Sequence, residues 1–352
     1  MKSILFLVCS NGFGHYKRCA RVANKLLELD SSISVNFIAK ETTYRYQSDW
    51  AISKKLVLNE RFNFIKGEST IEIDGINKSE QTITCNGIGW LSKTLIEEAD
   101  VVISDNLGVI LELRPDAILM GSFLWSDLIY QNKHIQLYDY ANLEQKLLRD
   151  FGPNMIALRD MVMPYVKSQT NTILTSWIVD FSFELSVKSD IKNILVLGGG
   201  TGFLDSNLAC VCHVLSETGK YRLSTTKRIS SLLQRKTPHD IFGFSNQDFK
   251  EVDLIIGRPG IGTLTDCVMY GIPILAVGEQ DNVEIQHNLK QIESLSFGLD
   301  ISLEIKNISS IVDELPLEGK YQEFQRKLIN TQKSGLSETA DFILNRLYEN
   351  EI

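Results

Sequence analysis

The sequence predicts an α/β protein built from two doubly wound domains, and three observations carry that reading. Short apolar runs rich in β-branched residues alternate with segments of helical spacing, this alternation starts twice, at residues 4 and 194, and several strands run directly into glycine turns. Alternating strands and helices specify parallel sheets, because a parallel pair needs a long crossover that is usually a helix.

In chain order, ILFLV (4–8), VNFIA (35–39), VVIS (101–104) and AILMG (117–121) have the continuous apolar character of strands covered on both faces. Between the first two, Cys19, Val22, Ala23, Leu26 and Leu27 recur at helical spacing, which makes a βαβ unit whose helix begins near His15. Residues 170–192 are largely polar and lack a clear period, so the boundary is placed there, between domains at 1–175 and 190–335. The second domain opens on ILVLGGGTG (194–202) and continues with a helix near 207–216 and the strand DLII (253–256). A glycine turn, a helix from near Thr263 and the strand IPILAV (272–277) follow. The segment SETADFILNRLYENEI (337–352) reads as a final helix capped at Ser337 and is expected to pack back on the first domain.

Composition narrows the function classes. The 352 residues are 43% hydrophobic and 23% charged, enough for two cores. The net charge of −8, with scattered basic residues, argues against a nucleic-acid surface. No apolar run approaches the roughly 20 residues of a membrane span, and the opening MKSILFLVCSNG reads as a first strand, so a cytoplasmic protein is expected. The six cysteines lack paired metal spacing and are read as reduced, mostly structural thiols.

Open α/β sheets bind ligands outside the carboxyl ends of their strands. A site is therefore expected where two such domains face each other across a cleft. The richest stretch is DLIIGRPGIGTLTDCVMYGIPILAVGEQDNVEIQHN (253–288). Here a strand enters Gly257-Arg258-Pro259-Gly260-Ile261-Gly262, and the helix that follows, from near Thr263, offers unpaired N–H groups and a positive dipole end to a diphosphate. Asp266, about one turn into that helix, reads either as a ribose ligand or as an acid favoured by the dipole.

The stretch resembles the nucleotide-sugar-binding half of GT-B glycosyltransferases, among them the UDP-glycosyltransferases and the UDP-N-acetylglucosamine transferase of lipid II synthesis. Asp266, Gly271, Ile272 and Pro273 fit the family pattern of an acid, a glycine five positions on, a small apolar residue and proline. The resemblance implies a ribose contact for Asp266 and, from Gly198-Gly199-Gly200-Thr201-Gly202, a turn facing the donor phosphates. It places Ile241 or Phe242 beside the base and leaves the sugar contact open between Gln280 and Gln286. Gly278 stands where relatives tend to have proline, while Asn288 and Gly298 keep the family's spacing.

At the other end, Gly12-Phe13-Gly14-His15-Tyr16-Lys17-Arg18 resembles the GxGHxxR form of several bacterial and archaeal members. The resemblance implies that this loop serves the acceptor and that His15, as neutral imidazole, takes the proton of an acceptor hydroxyl. It further implies that Asp105, ending the strand in DVVISDN, orients His15. Arg18 reaches either the acceptor side or a helix partner, and Gly12 and Gly14 are expected to hold the turn tight. The implied activity is inverting transfer from a nucleotide-sugar, commonly a UDP-sugar, to an acceptor hydroxyl, with no cofactor and no metal. A nucleotide-sugar hydrolase of the same fold and a non-catalytic nucleotide-sugar-binding subunit are the alternatives. The acceptor, whether small molecule, glycan or lipid, stays open, as do a peripheral membrane contact and the oligomeric state.

Overall fold

The structure, a computed structural model, describes residues 1–9, 13–40, 50–66, 90–180, 184–200 and 202–349. It is an α/β protein with two parallel sheets in two compact units, Met1–Asp180 with Lys333–Ile352, and Phe181–Gln332. Gly12 and Thr201 lie outside the described residues. Among the described residues no helix is long and apolar enough to cross a membrane.

The first unit contains β1 (Lys2–Leu7), β2 (Ile33–Ala39), β3 (Phe62–Lys66), β4 (Val101–Asp105), β5 (Ile118–Met120), β6 (Asn154–Leu158) and β7 (Asn171–Thr175). They pair in the order β3-β2-β1-β4-β5-β6-β7, all parallel. Its helices are α1 (Phe13–Leu29), α2 (Ala51–Val57), α3 (Trp90–Glu98), α4 (Trp125–Gln131), α5 (Tyr138–Phe151) and α6 (Pro164–Gln169). α1 forms because Tyr16, Cys19, Ala20, Ala23, Leu26 and Leu27 repeat at three- and four-residue steps, giving one apolar stripe that is buried throughout.

The second unit repeats the arrangement with β8 (Asn193–Leu197), β9 (Arg222–Thr225), β10 (Asp240–Ile241), β11 (Leu254–Gly257), β12 (Ile274–Ala276) and β13 (Gly298–Asp300). The order is β10-β9-β8-β11-β12-β13, again parallel. Its helices are α7 (Asp205–Glu217), α8 (Lys227–Ser230), α9 (Asn246–Glu251), α10 (Ile261–Tyr270), α11 (Val283–Leu295), α12 (Ile308–Leu317) and α13 (Lys320–Asn330). The chain then returns to the first unit as α14 (Gly335–Tyr348), whose Ala340, Ile343 and Leu347 join Ile4, Phe6 and the α1 stripe in one buried cluster. The opposite face of that sheet buries Leu5, Leu7, Val102 and Leu119 with Leu147 and Leu148 of α5.

In each sheet the strand order reverses between two central neighbours, β1 and β4 in the first unit and β8 and β11 in the second. Crossovers leave such a pair toward opposite faces, which opens a crevice at the carboxyl ends. The described residues that the sequence singled out near 13–18, 105, 198–202 and 257–262 end or follow one of these four strands.

Three boundaries depart from the sequence reading. α1 starts at Phe13, so Gly14 sits inside its first turn rather than in the turn before it. α10 starts at Ile261, two residues before Thr263, because Gly260 already serves as its N-cap and places Gly262 and Thr263 in the first turn. α14 starts at Gly335 rather than after Ser337, since glycine there lets the helix approach Ser176, whose carbonyl oxygen would lie 2.0 Å from an added Cβ. Of the strands missed by periodicity, the half-exposed β3 and the two-residue β10 are edge strands with no continuous apolar run.

Gly257 tests the register of the second sheet. It pairs with Leu197, and a Cβ there would stand 2.1 Å from the Leu197 carbonyl oxygen, a backbone atom with no room to yield. Gly257→Ala is expected to lose about 1–3 kcal/mol of stability in urea unfolding. A change below about 0.5 kcal/mol would contradict this pairing.

Candidate functional site

In the first unit the site is built around one carboxylate. Asp105 is the last residue of β4, fully buried, and α1 follows β1, the strand beside it. His15, Arg18 and Cys19 stand at i, i+3 and i+4 of α1 and so share a face. All three reach Asp105: His15 Nδ1 lies 3.2 Å from Oδ2, the Arg18 guanidinium pairs with Oδ1, and the Cys19 thiol donates to Oδ2 at 3.4 Å. The fold thus brings together the two residues that the sequence separates by ninety positions.

Charge follows geometry. Burial alone would raise the Asp105 carboxyl, but Arg18 and then His15 outweigh it and hold the group down at about 2. Burial raises the Cys19 thiol well above its ordinary value and adjacent Asp105 adds to that, so the thiol stays protonated and acts as a donor. An ionised Asp105 that accepts from Nδ1–H fixes the His15 tautomer and leaves Nε2 with its lone pair, the arrangement required of a base. Arg18, whose alternatives were an acceptor contact or a helix partner, spends its charge on Asp105 and also reaches the Met120 carbonyl at 3.5 Å.

A second buried carboxylate, which sequence reasoning missed, braces the loops beside this pair. Glu144 of α5 accepts from Gly108 N–H (3.2 Å), Ser126 N–H (2.6 Å) and the Tyr140 hydroxyl (3.0 Å). It thereby ties the segment after Asp105 to the first turn of α4. Burial raises its carboxyl, and these donors offset only part of the rise.

In the second unit the glycine-bearing loops follow β8 and β11. Gly199 and Gly202 have φ of +76° and +77°, conformations that suit glycine. Arg228, unremarked in the sequence, clamps the first loop by donating to the Gly199 and Gly200 carbonyls and pairing with Asp205. In the other loop, Arg258 pairs with Glu279 at 2.8 Å, and Asn288 of α11 donates to the Pro259 carbonyl at 2.9 Å. α10 starts with Gly260 as N-cap, so no side chain caps its first-turn N–H groups, the feature that suits a helix to an anion.

Asp266 lies in the second turn of α10 and is buried. Gln280 is exposed, whereas Gln286 is partly buried and donates to the Glu279 carbonyl at 3.1 Å. Phe242 is buried against Phe249, with the exposed Phe244 ring packed on both, and its N–H donates to the Thr225 carbonyl. Gly278 differs from proline for a visible reason, since its N–H donates to the Ser302 hydroxyl at 2.8 Å, a bond proline cannot make. Among the described residues no group of His, Cys, Asp and Glu side chains is arranged to hold a metal ion.

Residues 193–339 match the family described as the glycosyltransferase family 28 C-terminal domain. No curated protein matches the chain in sequence. The whole chain resembles solved glycosyltransferases. The glycosyltransferase of kitacinnamycin aligns with a TM-score of 0.67 at 13% identity, over 98% of each chain. The calicheamicin glycosyltransferase CalG4 aligns at 0.65 and 12% over 100% of each. A UGT transferase from Siraitia grosvenorii, solved in complex with UDP, aligns at 0.62 and 11% over 99% of this chain and 100% of its own. The chain thus has the two-domain GT-B fold of glycosyltransferases.

The Asp105 cluster makes a pH prediction. The folded-state value of about 2 lies below the ordinary 3.8, so the stability it contributes is complete above about pH 4 and is lost as pH falls through about 2. Asp105→Asn, which leaves Arg18 buried without its counter-charge, is expected to cost about 3–5 kcal/mol near neutrality. Urea titrations from about pH 7 down to about pH 2 should show the gap to wild type narrowing over the last two units; a gap that stays constant would refute the assignment.

Proposed function

We propose that the protein is an inverting glycosyltransferase that moves a sugar from a nucleoside-diphosphate sugar, most simply a UDP-sugar, to an acceptor hydroxyl. The observation that carries this reading is the contact between His15 Nδ1 and Asp105, made where the strand order of the first sheet reverses. His15 Nε2 takes the proton of the acceptor hydroxyl. The freed oxygen pair forms the new bond at the anomeric carbon, while the bond to the diphosphate breaks with its electrons leaving on phosphate oxygen. Attack from the opposite side inverts the configuration. Asp105 stabilises the imidazolium as it forms.

Donor recognition is assigned to the second unit. The first-turn N–H groups of α10, at Gly262 and Thr263, and the backbone of Gly199 and Gly200 receive the diphosphate, and their partial positive charge stabilises its departure without a metal ion. Asp266 takes the ribose hydroxyls, and the backbone near Phe242 takes the base. Gln286, held against the Glu279 loop, is favoured over exposed Gln280 for the sugar. The solved UGT transferase from Siraitia grosvenorii with bound UDP supports uridine as the first base to test.

The test is a panel of UDP- and dTDP-sugars with mixed acceptors, read by mass spectrometry, followed by kinetics on the pair found. His15→Ala is expected to lower turnover about 10²–10⁴-fold while calorimetric affinity for UDP persists. Wild-type turnover in that variant would eliminate His15 as the base.

A further inference from the structure

We propose that Arg18 holds Nε2 of His15 free of a proton near neutral pH by neutralising the carboxylate that both residues share. The consequence for activity rests on the glycosyltransferase reading above: Arg18 then sets the lowest pH at which transfer runs. Arg18 and His15 approach Asp105 from one face of α1, the guanidinium at Oδ1 and the imidazole Nδ1 at Oδ2, 3.2 Å away. The Asp105 side chain is fully buried and that of Arg18 is only 14% exposed. The guanidinium also lies 3.5 Å from the Met120 carbonyl, which fixes it between the ends of β4 and β5.

The argument of charge is direct. The titratable members of the cluster are His15, Arg18 and Cys19 from α1, Asp105 from β4, and buried Cys9, which follows β1 and interacts with Arg18 and Cys19. Burial works against the guanidinium, but Asp105 and its other neighbours more than offset it, so Arg18 stays charged wherever histidine titrates. The Cys19 thiol, raised by burial and then by Asp105, donates to Oδ2 at 3.4 Å and carries no charge. With a neutral imidazole, Arg18 and Asp105 balance as one cation and one anion. Protonating the ring therefore adds a net positive charge in a place where little water reaches.

Without the guanidinium the sign reverses, because one added proton would neutralise a buried anion. That proton either makes the ring an imidazolium or sits on the Asp105 carboxyl, which then donates to Nδ1 and leaves the neutral ring's own proton on Nε2. Nε2 carries a proton in both arrangements, so neither supplies a base; the two residues titrate as a pair. Arg18 removes the drive for this uptake. The imidazole is then a weaker base but an available one, and a base works best when its proton affinity matches the working pH. Acting through Asp105, Arg18 is a positioning residue.

The experiment follows the His15 ring nitrogens of the full-length protein across pH by nitrogen-15 NMR, assigned with His15→Gln, beside the pH dependence of kcat/KM for the donor and acceptor found above. Wild type at about pH 7 is expected to show Nε2 without a proton. In Arg18→Gln, proton uptake at the ring and the acid limb of the rate profile are expected to move up together by about 1–2 pH units. Arg18→Lys, which keeps the charge, is expected to return most of that shift. An imidazolium in wild type at about pH 7 would overturn the inference. So would a folded Arg18→Gln whose titration and acid limb stay in place, even with a lower plateau rate, or an Arg18→Lys displaced from wild type by about 1 unit or more. The wild-type and Arg18→Lys measurements decide the matter if Arg18→Gln does not fold. A ring titration that depends on Arg18, without transfer from any donor, would keep the inference and remove the glycosyltransferase reading. Transfer that needs His15 and keeps its pH profile in Arg18→Gln would do the reverse.

Discussion

The buried Asp105 carboxylate organises the first unit's site. It accepts from an imidazole, a guanidinium and a thiol at once, all presented by a single helix face. Each donor has a distinct consequence. Arg18 keeps the carboxylate ionised in a place where burial opposes charge, His15 takes its tautomer from the contact, and Cys19 shares Oδ2 with His15 without carrying charge. Without Arg18 the carboxyl would lose its main counter-charge and become a weaker acceptor for the imidazole.

The second unit solves a different problem with the same topology. At its two glycine-bearing loops, charged side chains are directed at one another. Arg228 pairs with Asp205 and Arg258 with Glu279, and each pair braces a glycine-bearing loop at the strand-order reversal. The first unit thus gathers charged side chains on one carboxylate and the second pairs them across its loops, although both sheets have the same order through six strands.

Much of this was legible in the sequence, and the limits are physical. The His15-to-Arg18 spacing and the position of Asp105 at a strand end point to one site, and the i, i+4 relation would have added Cys19 had helix-face geometry been applied to it. Glu144 and Arg228 were not legible, because most of their partners are backbone groups that only the topology brings near. Two glycines of the motif have reasons in packing and chain conformation. Gly298 fits the family spacing, yet its place is explained by the Ile274 carbonyl, which would stand 1.7 Å from a Cβ, and Gly271 ends α10 in a left-handed conformation with φ +67°. Part of the motif therefore encodes strand and helix packing rather than ligand contact.

α14 has a consequence for the order of events during synthesis. Its Ala340, Ile343 and Leu347 complete the cluster over Ile4 and Phe6, so the unit whose first strand emerges earliest keeps an apolar face uncovered until residues 335–348 have been made. The second unit, contiguous from Phe181 to Gln332, has all of its own strands by then. Domains generally fold in the order they leave the ribosome; here the later unit is free to finish first, and the earlier one must shield an exposed sheet while it waits.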